Sequence, residues 1–273
     1  MNPMRLAHLT PRLLINCALA LLLGGSLNAD DVVRIDKGIS YLSPDRAEKG
    51  DLYQPAVVTP GRRCPGIVII HGGGWTGGKR DASRELNIGT NLALNGYVAL
   101  SIDYLLASKG KPVWPTNLYD CKTAVRWLRK NADRLNLDAE HIGVIGGSAG
   151  GHLATMVAVT GPESGLDPQA PYGEFSCRVQ AAVDLYGPAD LMTWHDTAML
   201  PGSRAEAPEL YKQATPATHA DKNDPPFLIL HGTADTTVAV EQSEKLAAAF
   251  KAAGTRHELV IVPGAPHTFH LQP

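Results

Sequence analysis

The sequence has few cysteines and none of the spacings by which cysteine and histidine usually hold a metal. Its 273 residues include 4 Cys and 10 His, with no CxxC pair and no HExxH motif. Zinc sites are normally marked by such spacings, so the chain offers no case for a metal. Cys64, Cys121 and Cys177 follow the N-terminal segment, and an odd number argues against a disulfide framework. Cys121 shares a helical stripe with Leu118 and Val125, which predicts a small buried hydrophobe.

The sequence also lacks a concentration of positive charge. It has 25 Lys and Arg against 27 Asp and Glu, and it has no basic cluster larger than the pair Arg62 and Arg63. Proteins that bind nucleic acid neutralise phosphates with a basic face. We therefore expect no nucleic-acid partner.

A long apolar run occurs at the N-terminus, at residues 13–25, "LLINCALALLLGG". Arg5 and Arg12 precede it and small residues follow, and the run is short for a membrane span. This pattern predicts a secretory signal peptide over residues 1–29 and a secreted or periplasmic protein. A membrane anchor that is not cut and a lipoprotein attached at Cys17 are the alternatives.

Short apolar runs alternate with amphipathic runs along the rest of the chain. The predicted strands are the β-branched run that opens residues 66–75, and residues 96–104, 141–147, 179–187, 226–232 and 257–264. The predicted helices are residues 117–135, 149–160 and 239–254. Apolar strands that alternate with helices indicate the α/β class, with a mostly parallel sheet flanked by helices on both faces. Reactive groups in such folds collect beyond the carboxyl ends of the strands.

Residues 188–225 interrupt this alternation. The segment is rich in proline and contains two short helical candidates, residues 190–200 and 207–215. It has too few apolar residues for a core of its own. We expect it to be a short insertion over the strand ends, so that residues 30–273 form one domain.

The clearest chemical signal is the segment "HIGVIGGSAGGHLA", residues 141–154. Within it, Gly146, Ser148 and Gly150 fit G-x-S-x-G between a predicted strand and a predicted helix. This is the context of a nucleophile elbow, in which the glycines clear space for a sharp turn that presents the serine hydroxyl. The helix that begins at Ala149 points its free N–H groups at the same place.

A second glycine-rich turn, "HGGGW" at residues 71–75, follows another predicted strand. An oxyanion loop is expected at this place, and the N–H groups of Gly73, Gly74 and Ala149 are the predicted donors to a carbonyl oxygen that gains charge. His71 precedes the glycines, and we expect it to brace the loop.

A serine nucleophile needs a base, and the base needs an acid to orient it. Asp235 follows the strand at residues 226–232, and His267 follows the last predicted strand, so both can reach Ser148. The competing base is His270, next along the same segment. The remaining candidates are Asp184 and Asp190 as rival acids, and His152, His231 and Asp103 as residues with structural roles.

From about residue 50 onward the chain resembles α/β-hydrolases of the carboxylesterase and acetyl-xylan and feruloyl esterase group, the BD-FAE-like esterases. It is also similar to hormone-sensitive-lipase-type esterases and to kynurenine formamidases. The resemblance rests on "HGGGWTGGK", "SIDY", "CKTAVRWLRKNA", "GGSAGGHLA", "DLYGPADL", "PPFLILHGTADTTV" and "PGAPHTF", in family order. It implies an α/β-hydrolase fold, with nucleophile, acid and base at Ser148, Asp235 and His267 and the oxyanion loop at residues 73–75.

The sequence departs from the family pattern at two places. Leu105 stands where the family usually has an arginine after "DY". The chain stops at Pro273, where such proteins usually continue into a final helix, so we expect that helix to be missing and one sheet face near His267 to lie bare.

These residues together predict a serine esterase that needs no cofactor. Trp75, Tyr104 and Tyr186 lie at predicted strand ends and are the candidate walls of a substrate pocket, with Trp194 and His195 as a candidate roof. Together with the resemblance, they favour short acyl (acetyl) or feruloyl esters of sugars or polysaccharides.

Other functions fit the same fold. An amidase resembling arylformamidase uses the same triad, and a prolyl-oligopeptidase-type peptidase shares the domain, although this chain has no room for the propeller of such enzymes. A binding protein on an inactive hydrolase fold is the non-enzymatic alternative. Such proteins typically lose a triad residue, whereas all three residues are present here.

Overall fold

The computed structural model describes residues 32–269. The signal peptide predicted at residues 1–29 and the competing base His270 lie outside the described residues. Among the helices of the described part, none is both long enough and apolar enough to cross a membrane.

The structure is built on one eight-stranded sheet. In chain order its strands are β1 (Val33–Ile39), β2 (Gly50–Pro55), β3 (Cys64–Ile70), β4 (Val98–Ile102), β5 (Leu137–Gly147), β6 (Ala181–Leu185), β7 (Phe227–Gly232) and β8 (His257–Val262). Their order across the sheet is β1-β2-β4-β3-β5-β6-β7-β8. The pairs β1–β2 and β2–β4 are antiparallel, and all other neighbours are parallel. This is the α/β-hydrolase fold that the sequence predicts.

Within residues 32–269, five α-helices connect the strands. They are α1 (Ser83–Leu94), α2 (Thr116–Lys130), α3 (Ala149–Val159), α4 (Pro208–Gln213) and α5 (Glu241–Ala253). Val68 and Ile70 of β3 point into the larger apolar cluster, which includes residues of α2, α3 and α5. Ile69, between them, points to the opposite face and packs in a smaller cluster with Ile88 of α1. The sheet is thus covered on both faces, as continuous apolar strands require.

The face that carries α1 is the less completely covered of the two. Ile67, Ile145, Val183 and Leu230 pack against the smaller cluster but remain partly exposed. The three cysteines at positions 64, 121 and 177 are buried and unpaired, which confirms Cys121 as a small buried hydrophobe.

Several elements of the fold differ from the sequence expectations. The antiparallel strands β1 and β2 and the helix α1 were not predicted, because their apolar residues are few and interrupted by polar ones. The helix predicted over residues 117–135 ends at Lys130 and continues as turns.

The insertion contains one of its two expected helices. Residues 190–200 form turns rather than a helix, held by the carbonyl of Met199, which accepts hydrogen bonds from the N–H groups of Val113 and Trp114. The second candidate contains α4. The insertion packs on the body of the domain, since the amide N–H groups of Ala189 and Asp190 donate to the side-chain oxygen of Gln242 on α5.

Candidate active site

The candidate nucleophile lies on the turn between β5 and α3. Ser148 has φ 57° and ψ −124°, a backbone conformation that residues other than glycine rarely adopt. A Cβ on Gly146 would overlap the backbone carbonyl of Gly150, and a Cβ on Gly150 would overlap that of Ile70. Only glycine therefore fits at either position, which explains the glycine cluster in the sequence.

The structure brings together the three residues predicted as a triad. The Nε2 atom of His267 lies 3.0 Å from the hydroxyl oxygen of Ser148, within reach of the serine proton. On the other side of the ring, Nδ1 lies 2.6 Å from Oδ2 of Asp235. With Nδ1–H donating to the carboxylate, Nε2 is left as the acceptor for the serine hydroxyl. Their catalytic roles stay predictions.

Asp235 is held as an ionised carboxylate. Burial alone would raise its pKa, but the hydrogen bond from His267 and those from the N–H groups of Val238 and Thr237 outweigh burial, and the pKa is lowered. His231 lies behind the same loop, fully buried, with its ring bonded to the hydroxyl of Ser243 and the carbonyl of Val238. Its position fits the structural role that the sequence suggested.

The glycine turn after β3 adopts a left-handed backbone at consecutive residues. The φ angles are 119° at Gly73, 59° at Gly74 and 59° at Trp75. The carbonyl of Gly73 accepts hydrogen bonds from the N–H groups of Thr76 and Gly77, which closes the turn. The N–H groups of Gly73 and Gly74 donate to none of the described residues, and that of Ala149 has no partner within α3. These are the predicted oxyanion donors.

His71 braces this turn, as expected. Burial lowers the pKa of its imidazole, and the neutral ring donates from Nδ1 to the carbonyl of Gly72, 2.7 Å away. The ring stacks on Tyr104, with 4.4 Å between centroids.

A cavity of about 460 Å³ opens beside Ser148. It is lined by His71, Gly72, Gly73, Gly74, Gly78, Lys79, Ala82, Ser83, Arg84, Glu85, Ser148, Thr237, His267 and Thr268. The wall thus consists of small residues and polar side chains, with no large aliphatic group and no Phe, Tyr or Trp.

This wall corrects the expectation that three aromatic residues line the pocket. Trp75, Tyr104 and Tyr186 are only 4%, 1% and 0% exposed, respectively, and all three are packed in protein. Tyr104 donates to the backbone carbonyl of His71, and Tyr186 lies edge-on to His267 with 4.8 Å between ring centroids. These side chains pack behind the residues that line the cavity. Trp194 and His195 of the insertion do not line this cavity either.

The side chain that lies beneath the serine turn was not predicted. Arg84, in the first turn of α1, donates to the hydroxyl of Tyr186 at 3.0 Å and pairs with buried Glu85 at 2.5 Å. A Cβ on Gly147 would overlap its guanidinium, so the arginine lies directly against the elbow. Because α1 was not predicted, nothing pointed to this residue.

The rival acids lie elsewhere. Asp190 pairs with Lys245 at 2.8 Å. Asp103, for which the sequence predicts a structural role, is an ion-pair partner of Arg80. Asp184 is buried beneath the elbow helix and accepts a hydrogen bond from the N–H of Gly187 at 2.9 Å. None of the three contacts His267. Leu105, where the family usually has arginine, donates its backbone N–H to Asp120.

Asp184 makes stability depend on pH. Burial raises its pKa to about 7, although the N–H of Gly187 opposes the shift. Because this pKa lies above the value of about 3.9 in an unfolded chain, the stabilising contribution is complete below about pH 4 and is lost as the pH rises through the folded-state pKa. Asparagine keeps the acceptor and cannot ionise. The quantity to compare is the free energy of unfolding of Asp184→Asn minus that of wild type. We expect this difference to be up to roughly 4 kcal/mol larger at about pH 8 than at about pH 4.

Urea unfolding of wild type and variant at the two pH values measures this difference. An equal change at both pH values would contradict the assignment of a neutral, buried carboxyl to Asp184.

No metal-binding group is present in the part of the chain that the structure describes: residues 32–269 contain no cluster of at least three His, Cys, Asp or Glu side chains suited to a metal ion. The site as described consists of a serine, a histidine and a carboxylate in hydrogen-bond contact, next to unpartnered backbone donors. Such an arrangement is suited to acyl transfer.

Comparison with known proteins gives consistent matches. A family model described as BD-FAE matches residues 51–250. The esterase LipC of Mycobacterium tuberculosis is 32% identical over 227 residues, which make up 78% of this chain and 55% of LipC. The chain thus spans about half the length of this curated relative.

Solved structures share the fold along most of the chain. A truncated form of a carbohydrate esterase from gut microbiota matches with a TM-score of 0.78 and 27% identity, over 87% of this chain and 90% of the other. Esterase 2 of Thermogutta terrifontis with butyrate bound matches with a TM-score of 0.72 and 31% identity, over 89% and 86%.

Proposed function

The chain belongs to the BD-FAE family of α/β-hydrolases, and we propose that it is a carboxylic ester hydrolase that forms an acyl-enzyme on Ser148. The observation that carries the proposal is the hydrogen-bonded series from Ser148 through His267 to Asp235. The names of its relatives, which are esterases, support the same activity.

In the proposed mechanism, the Ser148 oxygen attacks the ester carbonyl carbon while its proton passes to Nε2 of His267. The tetrahedral intermediate then expels the alcohol, which takes that proton from Nε2, and the acyl group stays on Ser148. The same nitrogen then takes a proton from a water molecule, whose oxygen attacks the acyl carbon. The Ser148 oxygen leaves, takes that proton back from Nε2, and the carboxylic acid is released. Asp235 holds the proton on Nδ1 and stabilises the imidazolium that forms in both steps.

The negative charge of each intermediate develops on the former carbonyl oxygen. The unpartnered N–H groups of Gly73, Gly74 and Ala149 are the proposed donors to it, assisted by the positive end of α3. Loss of one such donor costs about 2.7–4 kcal/mol of barrier in other serine hydrolases.

We further propose that the substrates are short acyl (acetyl) esters or feruloyl esters of sugars or polysaccharides. The cavity wall supports a polar alcohol, because Lys79, Ser83, Thr237 and Thr268 contribute polar side chains and no large apolar group is present. The carbohydrate esterase among the structural neighbours supports a sugar, and butyrate in another neighbour supports a short acyl group.

Acetylated xylan provides the test of this substrate class. The protein is expected to release free acetate from it, and Ser148→Ala is expected to release none. Among p-nitrophenyl esters, kcat/KM is expected to fall about tenfold or more from acetate to octanoate, because the cavity is lined by no large aliphatic side chain and by no Phe, Tyr or Trp that could pack on the longer chain. Cleavage of p-nitrophenyl acetate without acetate release from xylan would contradict the polysaccharide proposal, and a preference for a formanilide would indicate an amidase instead.

We also propose that residues 1–29 direct the protein to the periplasm or the medium and that residues 30–273 act as one hydrolase domain. The basic residues and apolar run of the N-terminal segment support the first point.

A further inference from the structure

We propose that His152 is a positioning residue that joins the two halves of the oxyanion hole, through a hydrogen bond that it accepts from the indole of Trp75. The proposal rests on the proposed function, since it assigns a role in the same reaction. It concerns a buried histidine that takes no part in the proton transfers.

The contact connects the two elements that supply the oxyanion donors. Nε1–H of Trp75 donates to Nδ1 of His152 over 3.3 Å, and the two rings meet edge to face with 5.2 Å between centroids. Trp75 follows Gly74 directly, at the end of the oxyanion turn. His152 lies one helical turn beyond Ser148 and three residues after Ala149 on α3. One side-chain hydrogen bond therefore fixes the loop donors relative to the helix donor.

The oxyanion turn needs such a restraint because its backbone is unfavourable. Trp75 has φ 59°, in the left-handed region that a bulky side chain rarely occupies. A residue of this kind keeps its conformation only where its surroundings impose it. Besides the indole contact, the carbonyl of Trp75 accepts a hydrogen bond from the N–H of Ala107 at 2.8 Å. The side chain and the carbonyl thus hold the residue at two points.

His152 is held in one protonation state and one orientation. Its Nε2 lies 2.7 Å from the backbone carbonyl of Ala214, so this nitrogen carries the proton and Nδ1 presents its lone pair to the indole. Burial lowers the pKa of His152 to about 4, against the opposing hydrogen bond to Ala214. The ring is therefore neutral near pH 7. Ala214 belongs to the insertion, which is thereby attached to the same histidine.

Two substitutions of His152 test its hydrogen bonds to Trp75 and to Ala214 separately. The terminal atoms of asparagine approximate the position of histidine Nδ1, whereas those of glutamine approximate Nε2. His152→Asn can therefore keep the acceptor for Trp75, and His152→Gln can keep the donor to Ala214. With p-nitrophenyl acetate, we expect kcat to fall about tenfold in His152→Gln and less than about threefold in His152→Asn, with KM changed less than about twofold in both.

Trp75→Phe removes the same hydrogen bond from the other side while keeping a ring in place. It is expected to lower kcat about as much as His152→Gln does, and combining the two changes should add little further loss, because they remove one shared interaction. Should either histidine variant fail to fold, Trp75→Phe carries the test alone.

Hydrogen–deuterium exchange of the peptide that contains residues 71–77 provides a measurement independent of activity. Faster exchange in His152→Gln and Trp75→Phe, but not in His152→Asn, is the expected result. Equal losses of kcat in the asparagine and glutamine variants, or unchanged exchange at this peptide, would overturn the proposal. If the wild type cleaves no ester, the proposed function fails, and the exchange measurement still decides whether His152 orders the turn.

Discussion

Ser148→Ala is expected to lower kcat for p-nitrophenyl acetate by about 10⁴-fold to 10⁶-fold. The reason is that alanine has no oxygen to form the acyl-enzyme, while the cavity and the oxyanion donors remain. Ser148 is half-buried on a turn whose shape is set by glycines, so we expect the fold to tolerate the replacement of its hydroxyl by hydrogen. The residual rate reflects binding and oxyanion stabilisation alone.

Ser108→Ala is the matched control, because Ser108 is exposed on a loop and lies outside the cavity. It should have wild-type kcat. Circular dichroism and melting temperature should be the same for wild type and both variants. A folded Ser148→Ala variant that keeps more than about a tenth of the activity would exclude this serine as the nucleophile.

Asp235→Asn is expected to lower kcat by about 10⁴-fold. The carboxylate lies 2.6 Å from Nδ1 of His267 and accepts a hydrogen bond from the N–H at that nitrogen. An amide NH₂ group turned toward the ring would instead favour the tautomer with the proton on Nε2. That tautomer cannot accept the serine proton, and the imidazolium loses its negative partner. Steady-state kinetics with p-nitrophenyl acetate measure the loss.

The rival acids provide the controls for this prediction. Asp190→Asn breaks an ion pair with Lys245, and Asp184→Asn changes a buried carboxyl that does not contact His267. Both variants should keep kcat within about threefold of wild type. If Asp190→Asn lost as much activity as Asp235→Asn, the acid would be misassigned.

The sequence was sufficient to predict the residues that meet in the site because of the topology of a parallel sheet. Ser148 follows β5, Asp235 follows β7 and His267 follows β8, and the carboxyl ends of parallel strands lie at one edge. The glycines at positions 146 and 150 were equally informative, because backbone carbonyls approach both positions so closely that no side chain fits there.

The substrate wall could not be predicted in the same way. A position at a strand end does not determine whether a side chain turns toward the cavity or into the core. Trp75 and Tyr186 turn inward on backbones with a positive φ, 59° and 48°, which the sequence does not reveal. The contact between Trp75 and His152 was missed for the same reason, although a buried position beneath the elbow was expected for His152. Polar residues such as Arg84 reach the cavity through α1, whose sequence gives no clear helical pattern.

The most direct test of the central claim is covalent labelling of the wild type with diethyl p-nitrophenyl phosphate, followed by mass spectrometry of the digested protein. A serine activated as described displaces p-nitrophenol and keeps the diethyl phosphoryl group. We predict one adduct, on the peptide that contains Ser148, with labelling strongly slowed in Asp235→Asn. A folded protein that gains no adduct, or gains it at another residue, would contradict the claim that Ser148, His267 and Asp235 form the active site.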